Sequence, residues 1–471
     1  MRKIVLFLIA GLIMFSPCVF AEEKAGVELT IYNQNFGLVK DKRSLELKKG
    51  INDIRFSDVA AQIEPVSVHF KSLTDPSGCL IQEQNYEYDL VSADKLLKKY
   101  IDKKIKLVAE NDKVFEGVLM SYDGENIVIS QDNNLSMVAR KDNIREISFP
   151  ELPEGLITKP TLMWQIDNDK AGTHLSEVSY LTKGITWNAD YVVVVDKEDK
   201  NIDLSGWVTI DNRSGSAYKD ASLKLIAGEV HRAQEETVYR GLKMERKEMD
   251  AAGSQFEEKA FFEYHMYTLQ RRTTVKDNQT KQISLLSASG VPVKKLFIYD
   301  PIDYFGRFWY YYDDRNIAKQ QKIKVKLELT NSKQNNLGMP LPKGKIKVYK
   351  KDTDASLQFI GEDQIDHTPK DETIKLYLGD AFDVVGERKK TNFREDHSAQ
   401  WAEESFEISL RNHKETDIEV NVVEHLWRYV NWKIINKSHE FTKKDAQTVE
   451  FKVPVPKDGE TKVTYTVRYW W

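Results

Sequence analysis

The chain has almost no cysteine: two in 471 residues, Cys18 and Cys79. Cys18 falls inside an N-terminal stretch with the marks of a secretory leader, so the mature chain keeps Cys79 alone and closes no internal disulfide. Its stability must come from an apolar core, which a chain of this length can build. Cys79 ends Asp75-Pro-Ser-Gly-Cys79 and reads as a thiol at a loop edge or strand start, without a chemical role. An excess of positive charge is also missing. Lys and Arg number 69 against 73 Asp and Glu, and the formal net charge is −4. Such a chain does not condense on phosphate, so nucleic acid is not an expected partner. Beyond the leader no run reaches the ~20 apolar residues that a transmembrane helix needs.

Catalytic signatures are missing too. There is no His-Glu-x-x-His, no Cys-x-x-Cys, no Gly-x-Ser-x-Gly elbow and no Gly-x-x-x-x-Gly-Lys-Ser/Thr loop. The nine histidines are scattered, and His413 and His425 lack ligand spacing. No metal and no cofactor is therefore expected. Asp167-Asn-Asp169 offers oxygen ligands outside any EF-hand pattern. The densest carboxylates are Asp363, Asp366, Asp371, Glu372, Asp380 and Asp383. A pair of them across a sugar would be a glycosidase constellation, but spacing along a chain does not show such a pairing, and solvated turn carboxylates are the simpler reading.

The N-terminus carries Arg2 and Lys3, an unbroken apolar run over residues 4–15, and Val19-Phe20-Ala21 with small residues where a signal peptidase needs them. Charged, apolar and cleavage regions stand in order, so residues 1–21 are expected to be a signal peptide and the mature chain to begin at Glu22, in the periplasm or at the cell surface. The alternative start, at a lipidated Cys18, conflicts with Pro17, which occupies a small-residue position of the lipoprotein box.

Period-two alternation dominates the rest. Val27-Glu-Leu-Thr-Ile-Tyr32, Leu204-Ser-Gly-Trp-Val-Thr-Ile210, Ile323-Lys-Val-Lys-Leu-Glu-Leu329, Phe406-Glu-Ile-Ser-Leu410 and Val449-Glu-Phe-Lys-Val453 each place apolar residues on one face. Turns such as Asp123-Gly124 and Lys457-Asp-Gly459 separate such runs, which is the pattern of sandwiches and barrels. Helix is scarce: Ser92 caps a short one over residues 93–100. Five short strands follow up to Phe149, a pattern that resembles an Sm-like or SH3-like small barrel. The expected fold is mainly β and multi-domain: an N-terminal β region over 22–91, the helix and inserted small barrel over 92–150, a central β-sandwich over 151–318 with a mobile loop near 234–258, and an Ig-like C-terminal β-sandwich over 319–471. The last run, Val463-Thr-Tyr-Thr-Val-Arg-Tyr-Trp-Trp471, resembles the closing strand of an outer-membrane barrel. The Lys and Glu on the polar faces of these short strands favour a solvated sandwich.

The segment Phe297-Ile-Tyr-Asp-Pro-Ile-Asp-Tyr304-Phe-Gly-Arg-Phe308-Trp-Tyr-Tyr-Tyr312 is crowded with aromatics. Exposed, such rings stack on sugars or cations. Buried, they form a strand and a seam. If the segment is a binding surface, Tyr304, Phe308, Trp309 and Tyr311 are its candidate residues.

Several phrases occur together: Gln84-Asn-Tyr-Glu-Tyr-Asp-Leu90, Glu151-Leu-Pro-Glu-Gly-Leu-Ile157, Ser179-Tyr-Leu-Thr-Lys-Gly-Ile-Thr-Trp-Asn-Ala-Asp-Tyr191, Asn278-Gln-Thr-Lys-Gln-Ile-Ser-Leu-Leu286, Leu341-Pro-Lys-Gly-Lys-Ile-Lys-Val-Tyr349, and Ile365-Asp-His-Thr-Pro-Lys-Asp-Glu372 running on to Leu378-Gly-Asp-Ala-Phe-Asp-Val384. In these the chain resembles a bacterial extracytoplasmic family whose shared domain is of unknown function, with mucoidy inhibitor-like proteins among its broader relatives. Those relatives typically carry a long coiled coil where this chain has the small-barrel pattern. The resemblance implies a β-rich envelope protein and supplies no catalytic residues. The expected function is therefore non-catalytic binding or scaffolding in the cell envelope, with an envelope protein or glycan as partner. The alternatives are a glycan-active hydrolase using paired carboxylates and an outer-membrane-associated β protein. Intact-mass measurement of the exported protein should give a chain starting at Glu22; a lipid-bearing start at Cys18 would instead support the lipoprotein route.

Overall fold

A computed structural model describes residues 25–132, 134–141, 143–153, 155–232, 256–301 and 320–471. Residues 1–21, where a signal peptide is expected, and most of the 234–258 segment lie outside these residues. The protein is mainly β, and the one α-helix among the described residues is Ala93–Lys99. The chain forms two units interleaved in sequence, one built from residues up to 28, 39–59 and 65–180, the other from 29–38, 60–64 and 181–471.

In the first unit Thr161–Asn168 is the central strand of an antiparallel sheet, flanked by Gly50–Ser57 and Cys79–Glu87. Alternation turns Leu162, Trp164 and Ile166 inward, and all three are buried. Trp164 packs on Phe56 and Phe70 with ring centroids 5.2 and 5.4 Å away, and its indole N–H donates to Gln84 Oε1 at 2.9 Å. The largest inward side chain is thus both packed and hydrogen-bonded. Cys79 opens its strand as a buried thiol, and burial and then the Asp75 charge push its pKa up, away from thiolate chemistry.

Helix Ala93–Lys99 begins where Ser92 Oγ accepts from Lys95 N, and Asp94 in the first turn with Lys98 and Lys99 in the last complement the helix dipole. It buries Leu97, and the following Tyr100, against a five-stranded antiparallel sheet. The order of that sheet is Ile144–Ser148, Lys104–Ala109, Val114–Tyr122, Asn126–Gln131, Asn134–Ala139. Ile105, Leu107, Leu119, Ile127 and Ile129 fill the space between helix and sheet.

The second unit contains a five-stranded sheet in the order Gln279–Pro292, Asn201–Asn212, Ile185–Val195, Gly344–Lys351, Leu357–Ile365. A nine-stranded sheet runs from Asn431–Lys437 through Gly459–Trp470, Trp401–Asn412, Thr373–Asp396, Gln320–Thr330, Lys294–Tyr299, Ile418–His425 and Thr448–Val455 to Phe441–Lys443. Its two halves share one core, in which Phe406 and Phe451 both pack on Tyr465. Val463, Tyr465, Val467 and Tyr469 of the last strand point into that core. Phe297 and Tyr299, the start of the aromatic segment, are buried there as well. Gly386 lies against the Tyr299 ring, where a Cβ would come within 2.2 Å of a ring carbon. Among the described residues no helix is long and apolar enough to cross a membrane.

Charge is buried in this core. Arg388 holds Glu424 with three contacts of 2.9–3.0 Å, the Tyr465 hydroxyl donates to the same carboxylate, and the guanidinium lies 3.8 Å above the Phe406 ring. Glu404 sits between Lys390 at 2.9 Å and Arg428 at 2.7 Å. Burial raises the Glu404 pKa, but Arg428 and Lys390 outweigh it and the net direction is down. The carboxylate therefore stabilises the fold at neutral pH, and that contribution is lost as the pH falls through the lowered value. Removing one partner of such a pair leaves an uncompensated buried charge. Glu424→Ala should cost about 3–5 kcal/mol, read as a loss of stability in urea unfolding, whereas Glu403→Ala, a partly exposed residue of the same strand as Glu404, should cost about 1 kcal/mol or less.

Candidate functional site

The second unit holds a cleft of about 710 Å³ at the strand Ile185–Val195. That strand pairs antiparallel with Asn201–Asn212 and parallel with Gly344–Lys351. The parallel register sets Gly344 opposite Ala189, so closely that a Cβ on Gly344 would lie 2.2 Å from the Ala189 carbonyl oxygen. Glycine is required at that point for the backbones to approach.

Buried aromatic residues brace this pairing. Trp187 is buried, donates its indole N–H to Ile226 O at 3.1 Å and meets the edge of Tyr267. The Tyr267 hydroxyl donates to Pro340 O at 2.9 Å and the Tyr191 hydroxyl to Pro342 O at 2.8 Å. These two bonds pin residues 340–342, and so deliver Lys343 to the cleft. Burial drives both phenols well above their ordinary pKa, so they act as fixed donors.

The rim is polar. Asn33 and Gln34 reach it from the turn between Gly26–Tyr32 and Phe36–Leu47, and Gln34 Oε1 accepts from Val230 N at 3.2 Å. Asn188, Asp190 and Glu229 join them, with Lys343, Lys345, Gln364, Asp366 and His367 on the opposite side in sequence. Asp190 Oδ2 accepts from Thr209 Oγ1 at 2.6 Å, Asp366 lies 3.4 Å from Lys343, and Lys345 lies 3.6 Å from Glu362. His367 Nδ1 accepts from Lys343 N at 3.1 Å, which leaves Nε2 as the protonated nitrogen of the neutral ring. Desolvation of the ring, and then the Lys343 charge, lower its pKa although the residue as a whole is exposed. Asn33 Oδ1 is out of reach of water and has no hydrogen-bond partner. A buried acceptor left in that state is costly unless a donor reaches it.

A family model described as a domain of unknown function, DUF4139, matches residues 176–471. The chain belongs to that family. No curated protein matches it. The DUF4139 region supplies every residue of the cleft except Asn33 and Gln34.

The aromatic candidates Tyr304, Phe308, Trp309 and Tyr311 lie outside the described residues. The six candidate carboxylates do not gather at one site, although Asp363 and Asp380 share Tyr377 as a donor. Asp366 lines the cleft, Asp380 lines a separate hollow and accepts from the Tyr377 hydroxyl, Asp363 accepts from Tyr377 N, and Asp383 lies 4.0 Å from Lys414. His425 stacks on Trp427 and lies 3.3 Å from Asp300. Among the described residues no three His, Cys, Asp or Glu side chains gather as metal ligands; in Asp167-Asn-Asp169, Asn168 is turned into the fold and donates to Lys48 O and Lys170 O. The cleft itself was not singled out from the sequence. Its signal was there: three of the phrases that carry the family resemblance, Ser179 to Tyr191, Leu341 to Tyr349 and Ile365 to Glu372, converge on it.

The lowered His367 pKa has a consequence for stability. Near the ordinary histidine value of about 6.5 the unfolded chain takes up a proton that the folded one refuses. Stability is therefore fully kept above that value and declines as the pH falls from it through the lowered folded value. His367→Gln should flatten this part of the curve of thermal midpoint against pH, and an NMR titration of His367 should give a midpoint below the ordinary value.

Proposed function

We propose that this chain is an exported cell-envelope protein that binds glycan without turning it over, and that the cleft around Asn188 and His367 is its binding site. The observation that carries the reading is the cleft lining: a rim of amides and carboxylates, among them Asn33, Gln34, Asn188, Asp190, Gln364 and Asp366. Planar amides and carboxylates offer paired donors and acceptors, which match the adjacent hydroxyls of a sugar. Binding without turnover is the simpler reading, since Asp190 accepts from Thr209 and Asp366 pairs with Lys343 in the solvent. The leader over residues 1–21 supports the address. The kinship with mucoidy inhibitor-like proteins and the assignment of the helix-backed five-stranded sheet as an Sm/SH3-like barrel belong to the same reading, the latter supported by its strand count and antiparallel order.

The test is co-sedimentation of the protein from residue 22 onward with peptidoglycan sacculi freed of protein by protease. Binding is expected, and Asn33→Leu together with Asn188→Ala should weaken it about 10- to 100-fold, the loss of one or two hydrogen bonds to a desolvated partner, with the fold unchanged by circular dichroism. Absence of binding to treated sacculi, or binding indifferent to both substitutions, would contradict the proposal; binding that protease treatment of the sacculi abolishes would identify a protein partner instead.

A further inference from the structure

The helix-backed five-stranded sheet has two unlike edges. The strand Ile144–Ser148 is guarded by Arg145 and Glu146 and by an irregularity in its pairing. The strand Asn134–Ala139 at the other edge has neither charge nor proline, and pairs regularly with Asn126–Gln131 on its inner side. Exposed strand edges are normally blunted by charge, proline or bulges, because their free N–H and C=O groups invite another strand. Here the unguarded edge is also apolar. Leu135 and Met137 stand on the outer face, 69% and 72% exposed, and Val128 lies opposite Met137 on the neighbouring strand. Charges flank the strand asymmetrically, with Asp132 before it and Arg140 and Lys141 after it.

From this we infer that the strand Asn134–Ala139 pairs antiparallel with the same strand of a second copy, making a two-fold dimer. The charges select the partner and the direction. An antiparallel pairing centred on Ser136 sets Leu135 of each copy opposite Met137 of the other, and brings Asp132 of each copy to the Arg140–Lys141 end of the other. Arg140 is already held by Asp94, which leaves Lys141 to meet Asp132. A parallel pairing would put like charges together, and the guarded edge at Ile144–Ser148 matches neither the apolar pattern nor the charges. The interface is isologous, so it closes at two copies rather than growing into a filament. It continues the sheet across the dyad and covers Leu135 and Met137.

Sedimentation velocity on the full mature chain tests this. The wild type should run as a dimer at tens of micromolar. Met137→Lys should raise the dissociation constant about tenfold or more by placing a charge in the apolar contact, with the thermal midpoint of the monomer unchanged because the side chain is exposed. Asp132→Lys and Lys141→Asp should each weaken the dimer, and the double variant should restore it, since each copy then carries the swapped pair. Ser136→Cys should cross-link between copies under mild oxidation, because directly paired residues of antiparallel strands have Cα atoms about 4.5–5.5 Å apart, within disulfide reach. A monomeric wild type, a dimer indifferent to Met137→Lys, or no restoration in the double charge variant would overturn the inference.

Discussion

The cleft depends on one backbone contact, the parallel pairing of Ile185–Val195 with Gly344–Lys351. These segments are far apart in sequence, and the chain between them forms strands of the five-stranded and nine-stranded sheets, among others. Parallel neighbours need a crossover of this kind, and their register is set by how closely the two backbones approach. Gly344 against Ala189 fixes it. Once that register is set, alternation fixes the rest. Trp187, Ala189 and Tyr191 take the buried face and Asn188 and Asp190 the more exposed one, and Lys343 and Lys345 arrive beside them. The two phenol-to-carbonyl bonds at Pro340 and Pro342 then hold the incoming loop in place.

With no disulfide to restrain the unfolded chain, the second unit relies on its core, and that core contains ions. Two carboxylates, each gripped by cations, lie among Phe406, Tyr465 and the inward valines. Such pairs add little net stability compared with apolar residues of the same volume, but they penalise any arrangement that separates them. In a β-sheet a slip of one residue exchanges the two faces, so that penalty argues for one register. The stacking of Arg388 on Phe406 lets the cation sit in this core without breaking its packing.

Much of the architecture was legible in the sequence. The alternating runs at 204–210, 323–329, 406–410 and 449–453 all fall inside strands, and the Ser92 cap and the five short strands after it appear where the pattern put them. Local rules suffice there, because each element buries one face and caps or turns bound it. The site was much less legible. A cleft is a property of pairing between distant strands, and nothing local marks Asn33 or Gln34 as neighbours of His367. The buried ions illustrate a different gap. Glu404 shares the parity of Phe406, Ile408 and Leu410, and Glu424 that of Val420 and Val422, so the alternation itself placed both on the inner face. Reading each run by its apolar residues alone hid them. Charged residues in phase with a buried face are the signal to seek in such strands.

The fold by itself does not decide function, since mainly-β architectures serve many. The account stands on whether a saccharide enters the cleft. The most direct measurement is an NMR titration of the mature protein with the soluble saccharides released from sacculi by a muramidase, following the side-chain amides of Asn33 and Asn188 and the ring of His367. The account predicts saturable shifts at these three residues. Shifts confined to other surfaces, or none up to saturation of the saccharide's solubility, would contradict it.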